Sequence, residues 1–430
     1  MIRLGNLLGK GMYGKVYKIE DRNSAMKQID IDPNLGLREL GELNLLRIIR
    51  HPNILHLEDF VITDTYLGMI LPLAMTDLQL EPFGGLSVDK WMYQILSAIH
   101  FLHKNSYFHC DIKPPNILLI KDNAILSDLG LTGNIMKIGA CQSIASPQLM
   151  VKRGSILTSP VSRQVSNEYQ DDIWALGVTF FYMLTGTYGD FLEPVKLDRY
   201  IKSNRVDFLR GHVEERYVVL LSRLINPDPK ERSLNLLELL ALPIFSVHKN
   251  YINGNIISAI NHIPVIFNDN VKTIFSEYIK NLRDVYEIDK SIGIDIELPH
   301  IMLFNAIDIL YRIYETLKDV NQTLNSECVM CCFYISVKIY GLTNIEELSI
   351  AYKPPGKIMR LLNYIYGTTN NILNEEVKIV KLLDGYLSRD LVISYLDKSK
   401  YETFLNWVEN NPERYEQCSL DKLAEITRSI

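Results

Sequence analysis

The sequence contains no run of about 18 or more apolar residues, so it offers no helix expected to cross a membrane. It also has no block of like charge. With a formal net charge of −6 it lacks the basic footprint expected of a nucleic-acid binder. Cysteine is scarce: Cys110, Cys141, Cys328, Cys331, Cys332 and Cys418 are too few for a disulfide framework in a chain of 430 residues. That scarcity fits a reducing, intracellular setting. The opening Met1-Ile2-Arg3-Leu4-Gly5-Asn6 lacks the apolar core of a signal peptide. No internal repeat and no low-complexity tract is found. What remains is the composition of a soluble globular protein, 47% hydrophobic and 22% charged. Its length suits two or three domains of roughly 100–200 residues each.

The pattern changes along the chain. Leu4 to Leu8, Val16 to Ile19 and Ala25 to Ile29 read as short strands broken by glycines. Leu35, Leu40, Leu43, Leu46 and Ile49 recur near helical spacing, predicting a helix over 35–49. Strands follow around Leu55–Ile62 and Tyr66–Leu73. Ser87-Val88-Asp89 predicts a helix start before Trp91, Ile95, Ile99 and Leu102. Ser155 to Ser166, rich in serine with Pro160 inside it, reads as a surface loop. Residues 250–290 carry no usable motif. The expected architecture is α+β: a small sheet lobe on a larger helical lobe, then an all-helical region.

Three segments carry chemistry. Gly9-Lys10-Gly11-Met12-Tyr13-Gly14-Lys15-Val16 is a G-x-G-x-x-G-x-V segment whose glycines let a hairpin lie close over phosphates. Alone it is weak, because a glycine-rich turn between strands is often only a turn. Ala25-Met26-Lys27 follows on the next strand; an exposed edge lysine is the plain alternative. The third segment, His109-x-Asp111-x-Lys113-x-x-Asn116, is specific, and chance recurrence of all four residues at these offsets is improbable.

Taken in order, these segments resemble the protein kinase family over residues 1 to about 247. The resemblance implies a bilobal fold, with a sheet lobe over about 1–74 and a helical lobe over 75–247, that uses ATP and Mg2+. Lys27 would hold the phosphates and pair with Glu42, which lies nine residues before His51-Pro52-Asn53. Glu39, one turn earlier, is the rival partner. Asp111 would accept the proton of the substrate hydroxyl, and Lys113 would neutralise charge on the transferred group. Asn116, and Asp128 of Asp128-Leu129-Gly130, would bind magnesium. Leu71 would stand as gatekeeper before a hinge of Pro72, Leu73 and Ala74. Adenine would bond one carbonyl of Pro72 and the N–H and carbonyl of Ala74, and proline lacks only the N–H. Gly9, Lys10, Gly11, Gly14, Val16, Ala25 and Leu118 complete the nucleotide site. Asp172 would tie down the catalytic loop. A lysine two residues after the catalytic aspartate is the serine/threonine pattern, so protein substrates are expected.

The sequence departs from that family in three places. Cys110 stands where the usual arginine grips a phosphorylated activation loop, which a thiol cannot do. Ser146-Pro147-Gln148 replaces Ala-Pro-Glu, so Gln148 would meet Arg232 by a hydrogen bond rather than an ion pair. The threonine expected near Cys141 is missing, and substrate sequence cannot be read.

Beyond a connecting segment at 248–297, residues 298–430 show three amphipathic stripes: Leu303, Ile307, Leu310, Tyr314 and Leu317; Val329, Phe333, Val337 and Tyr340; Val377, Val380, Leu383 and Leu387. The plain reading is a helical bundle with its own core. The same segments also resemble three consecutive helices of a cyclin box. That resemblance implies that Lys338 faces the helix bearing Glu42, and that a tethered cyclin-like domain sets this helix by intramolecular contact. Cys328-x-x-Cys331-Cys332 suggests zinc less than it suggests a buried structural role. Two functions therefore stand: an active kinase regulated in cis, or a pseudokinase scaffold that presents the helical region to partners. Small-molecule phosphorylation is a weaker third.

Overall fold

The computed structural model describes residues 2–11, 14–31, 36–37, 39–80, 87–134, 168–188, 205–226, 228–232, 235–248, 254–256, 272–273, 276–280, 283, 300–317, 326–340, 372–388 and 401–410. The readings placed on Ser146–Gln148, Cys141 and Ser155–Ser166 lie outside these residues.

A five-stranded antiparallel sheet opens the chain, in spatial order β1 (Leu4–Gly11), β2 (Gly14–Ile19), β3 (Ser24–Asp30), β6 (Tyr66–Pro72), β5 (Asp59–Ile62). Gly14 makes the β1–β2 hairpin feasible. Its φ is +156°, and a Cβ there would stand 2.4 Å from the carbonyl oxygen of Gln28, closer than any side chain allows. The strand expected over Leu55–Ile62 begins only at Asp59, because Leu55 and Leu57 spend their amides on Leu126 and Leu46.

Helix α1 (Leu40–Ile48) lies between β3 and β4 (Ile49–Arg50). It starts five residues later than its apolar spacing predicts. Gly36 at φ +69° and Glu39 at φ +57° turn the chain left-handed, which delays the helix to Leu40. Leu40, Leu43 and Leu46 are fully buried, and each contributes about 1.5–3 kcal/mol.

Helix α2 (Val88–Lys104) follows β7 (Thr76–Asp77) and starts where Ser87 predicts. Asp89 in its first turn and His103 and Lys104 in its last complement the helix dipole. Then come β8 (Tyr107–Phe108), the hairpin of β9 (Ile117–Ile120) and β10 (Asn123–Leu126), and β11 (Gly133–Asn134). Helices α3 (Glu168–Thr185), α4 (Arg205–Arg210), α5 (Glu215–Leu224) and α6 (Leu236–Leu240) build the helical body. This is a sheet lobe on a helical lobe, an α+β architecture.

After β12 (Asn255–Ile256) the described chain is helical: α7 (His300–Leu317), α8 (Ser326–Tyr340), α9 (Ile372–Leu382) and α10 (Tyr401–Asn410). The third stripe is shorter than expected. Gly385, at φ +73°, ends the helical run, so Leu383 and Leu387 fall beyond α9, although both stay buried. Ser336 Oγ donates to Met302 O at 2.6 Å, tying α8 to α7, and Phe404 stacks on Phe304 at 5.4 Å. Cys328, Cys331 and Cys332 are buried in α8, and burial pushes the Cys331 and Cys332 thiols well up. Among the described residues no cluster of three or more His, Cys, Asp or Glu is arranged to hold a metal, and no helix is long and apolar enough to cross a membrane.

One continuous apolar core runs from α1 and α2 into α7–α10. At the N-terminal end of α1, Lys338 Nζ donates to Leu37 O at 2.6 Å and pairs with Glu376, which accepts the Leu37 N–H at 2.8 Å. In the middle, Asn44 Oδ1 accepts the N–H groups of Leu387 and Ser388 at 2.9 and 3.0 Å, and Asn44 Nδ2 donates to Ser388 Oγ at 2.6 Å. Arg47 bonds Asp384 and lies over the ring of Tyr386 at 4.7 Å.

Candidate active site

The site lies between the sheet and the helical body. In the β1–β2 hairpin Gly9 pairs with Val16, Lys10 with Lys15 and Gly11 with Gly14. Leu8 sits at the register shift beside Gly9 and is 52% exposed. It is an apolar residue next to the glycine segment that sequence reasoning did not select, and a single leucine gives no signal by which to find it.

On β3, Lys27 lies opposite Val16 and Met69, and Ala25 opposite Leu71. Leu71 is buried, Pro72 ends β6, and Ala74 follows in irregular backbone. Leu118 on β9 pairs with Asp77 and Ile125. Leu71 and Pro72 thus end the strand that pairs with β3, and Leu118 lies on a separate three-stranded sheet.

Lys27 Nζ lies 2.6 and 2.8 Å from the two carboxylate oxygens of Glu42, and 3.6 Å from Asp128 Oδ1. Burial pulls the Lys27 ammonium down, but the carboxylates of Glu42 and Asp128 outweigh it and hold Lys27 above its ordinary value. Burial pushes the Glu42 carboxyl up, with Lys27 pulling against it. Contact to both oxygens makes this a charged pair. Glu39, the rival, contributes only its field to Lys27.

The loop after β8 is held by its own polar groups. Asp172 Oδ2 accepts the His109 N–H at 2.7 Å and Oδ1 accepts the Cys110 N–H at 2.9 Å. His103 Nε2 stands 3.0 Å from the same Oδ2; sequence reasoning missed this anchor, which no motif marks. His109 Nε2 faces Ser127 O at 2.9 Å, so that nitrogen carries the hydrogen, and Nδ1 accepts the Asp111 N–H at 3.2 Å. Cys110 at φ +68° and Asp128 at φ +60° are left-handed non-glycine residues, a form of strain concentrated at functional sites.

Asp111 is 6% exposed. Lys113 Nζ and Asn116 Nδ2 both donate to its Oδ2, at 2.7 and 2.9 Å, and Asn116 also bonds its carbonyl. Among the described residues its other oxygen, Oδ1, has no hydrogen-bond partner. The carboxylate is therefore fixed by one oxygen, while the other is buried with no partner.

Arg232 is buried. It donates to Asn226 O at 2.8 Å and Gln170 O at 3.0 Å and lies over the Trp174 ring at 4.9 Å. Burial lowers its pKa to about 10 against the pull of Asp171.

A family model described as protein kinase domain matches residues 2–243. A probable cell division protein kinase of Encephalitozoon cuniculi is 29% identical over 237 residues, 50% of this chain and 84% of the relative. CBL-interacting serine/threonine-protein kinase 10 of Arabidopsis thaliana is 28% identical over 253 residues, 53% of this chain and 50% of the relative. Cell division control protein 2 homolog 3 of Trypanosoma brucei brucei is 36% identical over 143 residues, 29% of this chain and 45% of the relative. The match thus spans most of the first relative and half or less of the other two. Because the matched region covers more than half of the 430 residues, and the kinase segments fold into one cleft within it, the chain belongs to the protein kinase domain family and is a serine/threonine protein kinase.

Proposed function

We propose that the chain transfers the γ-phosphate of ATP to serine or threonine hydroxyls of protein substrates, and that its C-terminal helices hold α1 for this reaction. The observation that carries the catalytic part is the buried, unpartnered Oδ1 of Asp111 beside an anchored Oδ2. Such an oxygen takes the hydrogen of a substrate hydroxyl and aims its lone pair at the phosphorus. Lys113, held to Asp111, stands where charge on the transferred group is neutralised. Lys27, kept in place by Glu42, grips the nucleotide phosphates. The hairpin from Gly9 to Val16 covers the phosphates, while Ala25, Leu71, Leu118 and the backbone of Pro72 and Ala74 take the adenine.

Asn116 and Asp128 fit as holders of Mg2+. Both supply hard oxygen donors, and with Asn116 Nδ2 spent on Asp111 its amide oxygen is left over. When bound, Mg2+ neutralises charge on the phosphate oxygens.

On the regulatory side, residues 1–247 form the catalytic domain, 248–297 the connection and 298–430 a cyclin-like helical domain acting in cis. The pairing of Lys338 and Glu376 with the backbone of Leu37 supports this reading, because it anchors the end of the helix that bears Glu42. Cys110, in place of the arginine that would read a phosphorylated loop, agrees with control by packing.

The test is γ-phosphate transfer to the chain itself and to generic protein substrates. Asp128→Asn is expected to abolish it; equal incorporation by this variant and the wild type overturns the reading. For the cis part, Lys338→Met is expected to slow transfer, and an unchanged rate removes that part alone.

A further inference from the structure

The connection at 248–297 joins the two helical regions. One described stretch of it, Gly254–Ile256, is not loose chain. Asn255 pairs with Arg50 and Ile256 with Ile49, antiparallel, so β12 adds a strand to β4, the two residues directly after α1.

Gly254 is where its own backbone, that of Arg50 and the Phe101 ring converge. A Cβ at this position would stand 2.6 Å from Arg50 O and 2.7 and 2.8 Å from two ring carbons of Phe101. No side chain fits, so the glycine permits the approach. Phe101 belongs to α2, and its ring lies 5.2 Å from that of His51. His51 Nδ1 accepts the Asn53 N–H at 3.1 Å, and Asn53 Nδ2 donates to Ala124 O at 3.0 Å. On the other side, Arg50 Nη1 donates to Leu46 O at 3.1 Å and Ile49 O at 2.8 Å, and so grips the last turn of α1. Ile49 is fully buried. The segment therefore lies between the strand that follows α1 and the Phe101 ring near the end of α2.

We propose that Gly254–Ile256 is a positioning strap for phosphoryl transfer. By strand addition to β4 it fixes the C-terminal end of α1, and with it the place of Glu42 against Lys27. The proposal rests on the reading of Lys27 and Glu42 as the phosphate-gripping pair. Two residues of pairing are weak alone, but the strap is part of the same chain and acts at high local concentration. It need only bias the balance between placements of α1. The helix is then held at both ends, at Leu37 by Lys338 and Glu376 and at Arg50 by the strap.

The test uses the full chain. Gly254→Val drives a side chain into Arg50 O and the Phe101 ring. Asn255→Pro acts through the backbone alone, since the Asn255 side chain is exposed. Both are expected to lower kcat about three- to thirtyfold, the range over which remote positions modulate a site, with KM for the protein substrate unchanged. Amide exchange in α1 and β4 is expected to quicken more than in the rest of the folded chain. Asn255→Ala keeps the N–H and is expected to retain the wild-type rate. Folded Gly254→Val and Asn255→Pro proteins that work at the wild-type rate overturn the proposal. Should neither variant fold, exchange in the wild-type chain decides: protection in the β4–β12 pair comparable to α1 supports the strap, and exchange as free chain overturns it. A wild-type chain with no γ-phosphate transfer would instead remove the catalytic reading, and the exchange result would still report on the strap's hold.

Discussion

The ammonium of Lys27 touches both carboxylate oxygens of Glu42, at 2.8 and 2.6 Å, in a setting where Glu42 is 3% exposed. A buried pair of this kind is costly to break from one side only, because the remaining charge keeps its desolvation penalty. Lys27→Met is therefore expected to destabilise the chain by about 3 kcal/mol in addition to suppressing phosphoryl transfer. Lys27→Met with Glu42→Leu should recover most of the stability and none of the activity. Urea unfolding of the two singles and the double, read as a cycle beside the kinase assay, checks this. A double variant no more stable than Lys27→Met contradicts it.

Asp111→Asn keeps the size of the side chain and the fold of the loop but removes the basic oxygen. Transfer is expected to fall by about 10²–10⁴ in kcat, the usual contribution of a positioned base, with KM for ATP little changed. Steady-state kinetics on a generic substrate measures it. A fall confined to KM would mean that Asp111 serves binding rather than proton transfer.

Cys110 takes a left-handed backbone that costs a non-glycine residue about 1–2 kcal/mol. Asp172 holds it there through the N–H groups of His109 and Cys110. Cys110→Gly is thus expected to be tolerated and to raise stability by up to about 1 kcal/mol, whereas Asp172→Ala leaves the buried His109 donor and the half-buried Cys110 donor unpaired and is expected to cost about 2–5 kcal/mol. Thermal unfolding of both variants tests the contrast. A destabilised Cys110→Gly would show that the thiol's own contacts outweigh the backbone strain.

These sites differ in how far the sequence announces them. His109, Asp111, Lys113 and Asn116 are close in the chain, so the spacing that positions them is also the pattern that reveals them. Lys27, Glu42 and Asp128 come from three separate elements, and only their order and spacing pointed to one cleft. The apolar period runs through Leu35 and Leu40 alike, so it places the start of α1 too early. The deciding facts are the positive φ angles at Gly36 and Glu39, which periodicity does not register. His103, Glu376 and Gly254 were invisible for a different reason. Each acts through contacts to backbone or side chains far along the sequence, and one histidine, glutamate or glycine carries no pattern of its own.

The contacts along α1 allow a final prediction, on which of them matters. Arg47 pairs with Asp384, whose side chain is 55% exposed. Water and salt screen that pair, so Arg47→Ala is expected to cost no more than about 1 kcal/mol for the lost pair, less at high ionic strength. Asn44 is 1% exposed, and its amide oxygen takes two backbone N–H groups while its nitrogen bonds Ser388 Oγ. Asn44→Leu fills similar space but strands the Leu387 and Ser388 donors, at about 1–3 kcal/mol each, and salt should not alter the loss. Urea unfolding and kinase rates at low and high salt separate the two cases. If the cis reading is right, Asn44→Leu slows transfer although it touches no atom of the cleft, and Arg47→Ala hardly does. Equal, salt-sensitive effects from both would place the hold on α1 in surface charge rather than in the buried amide.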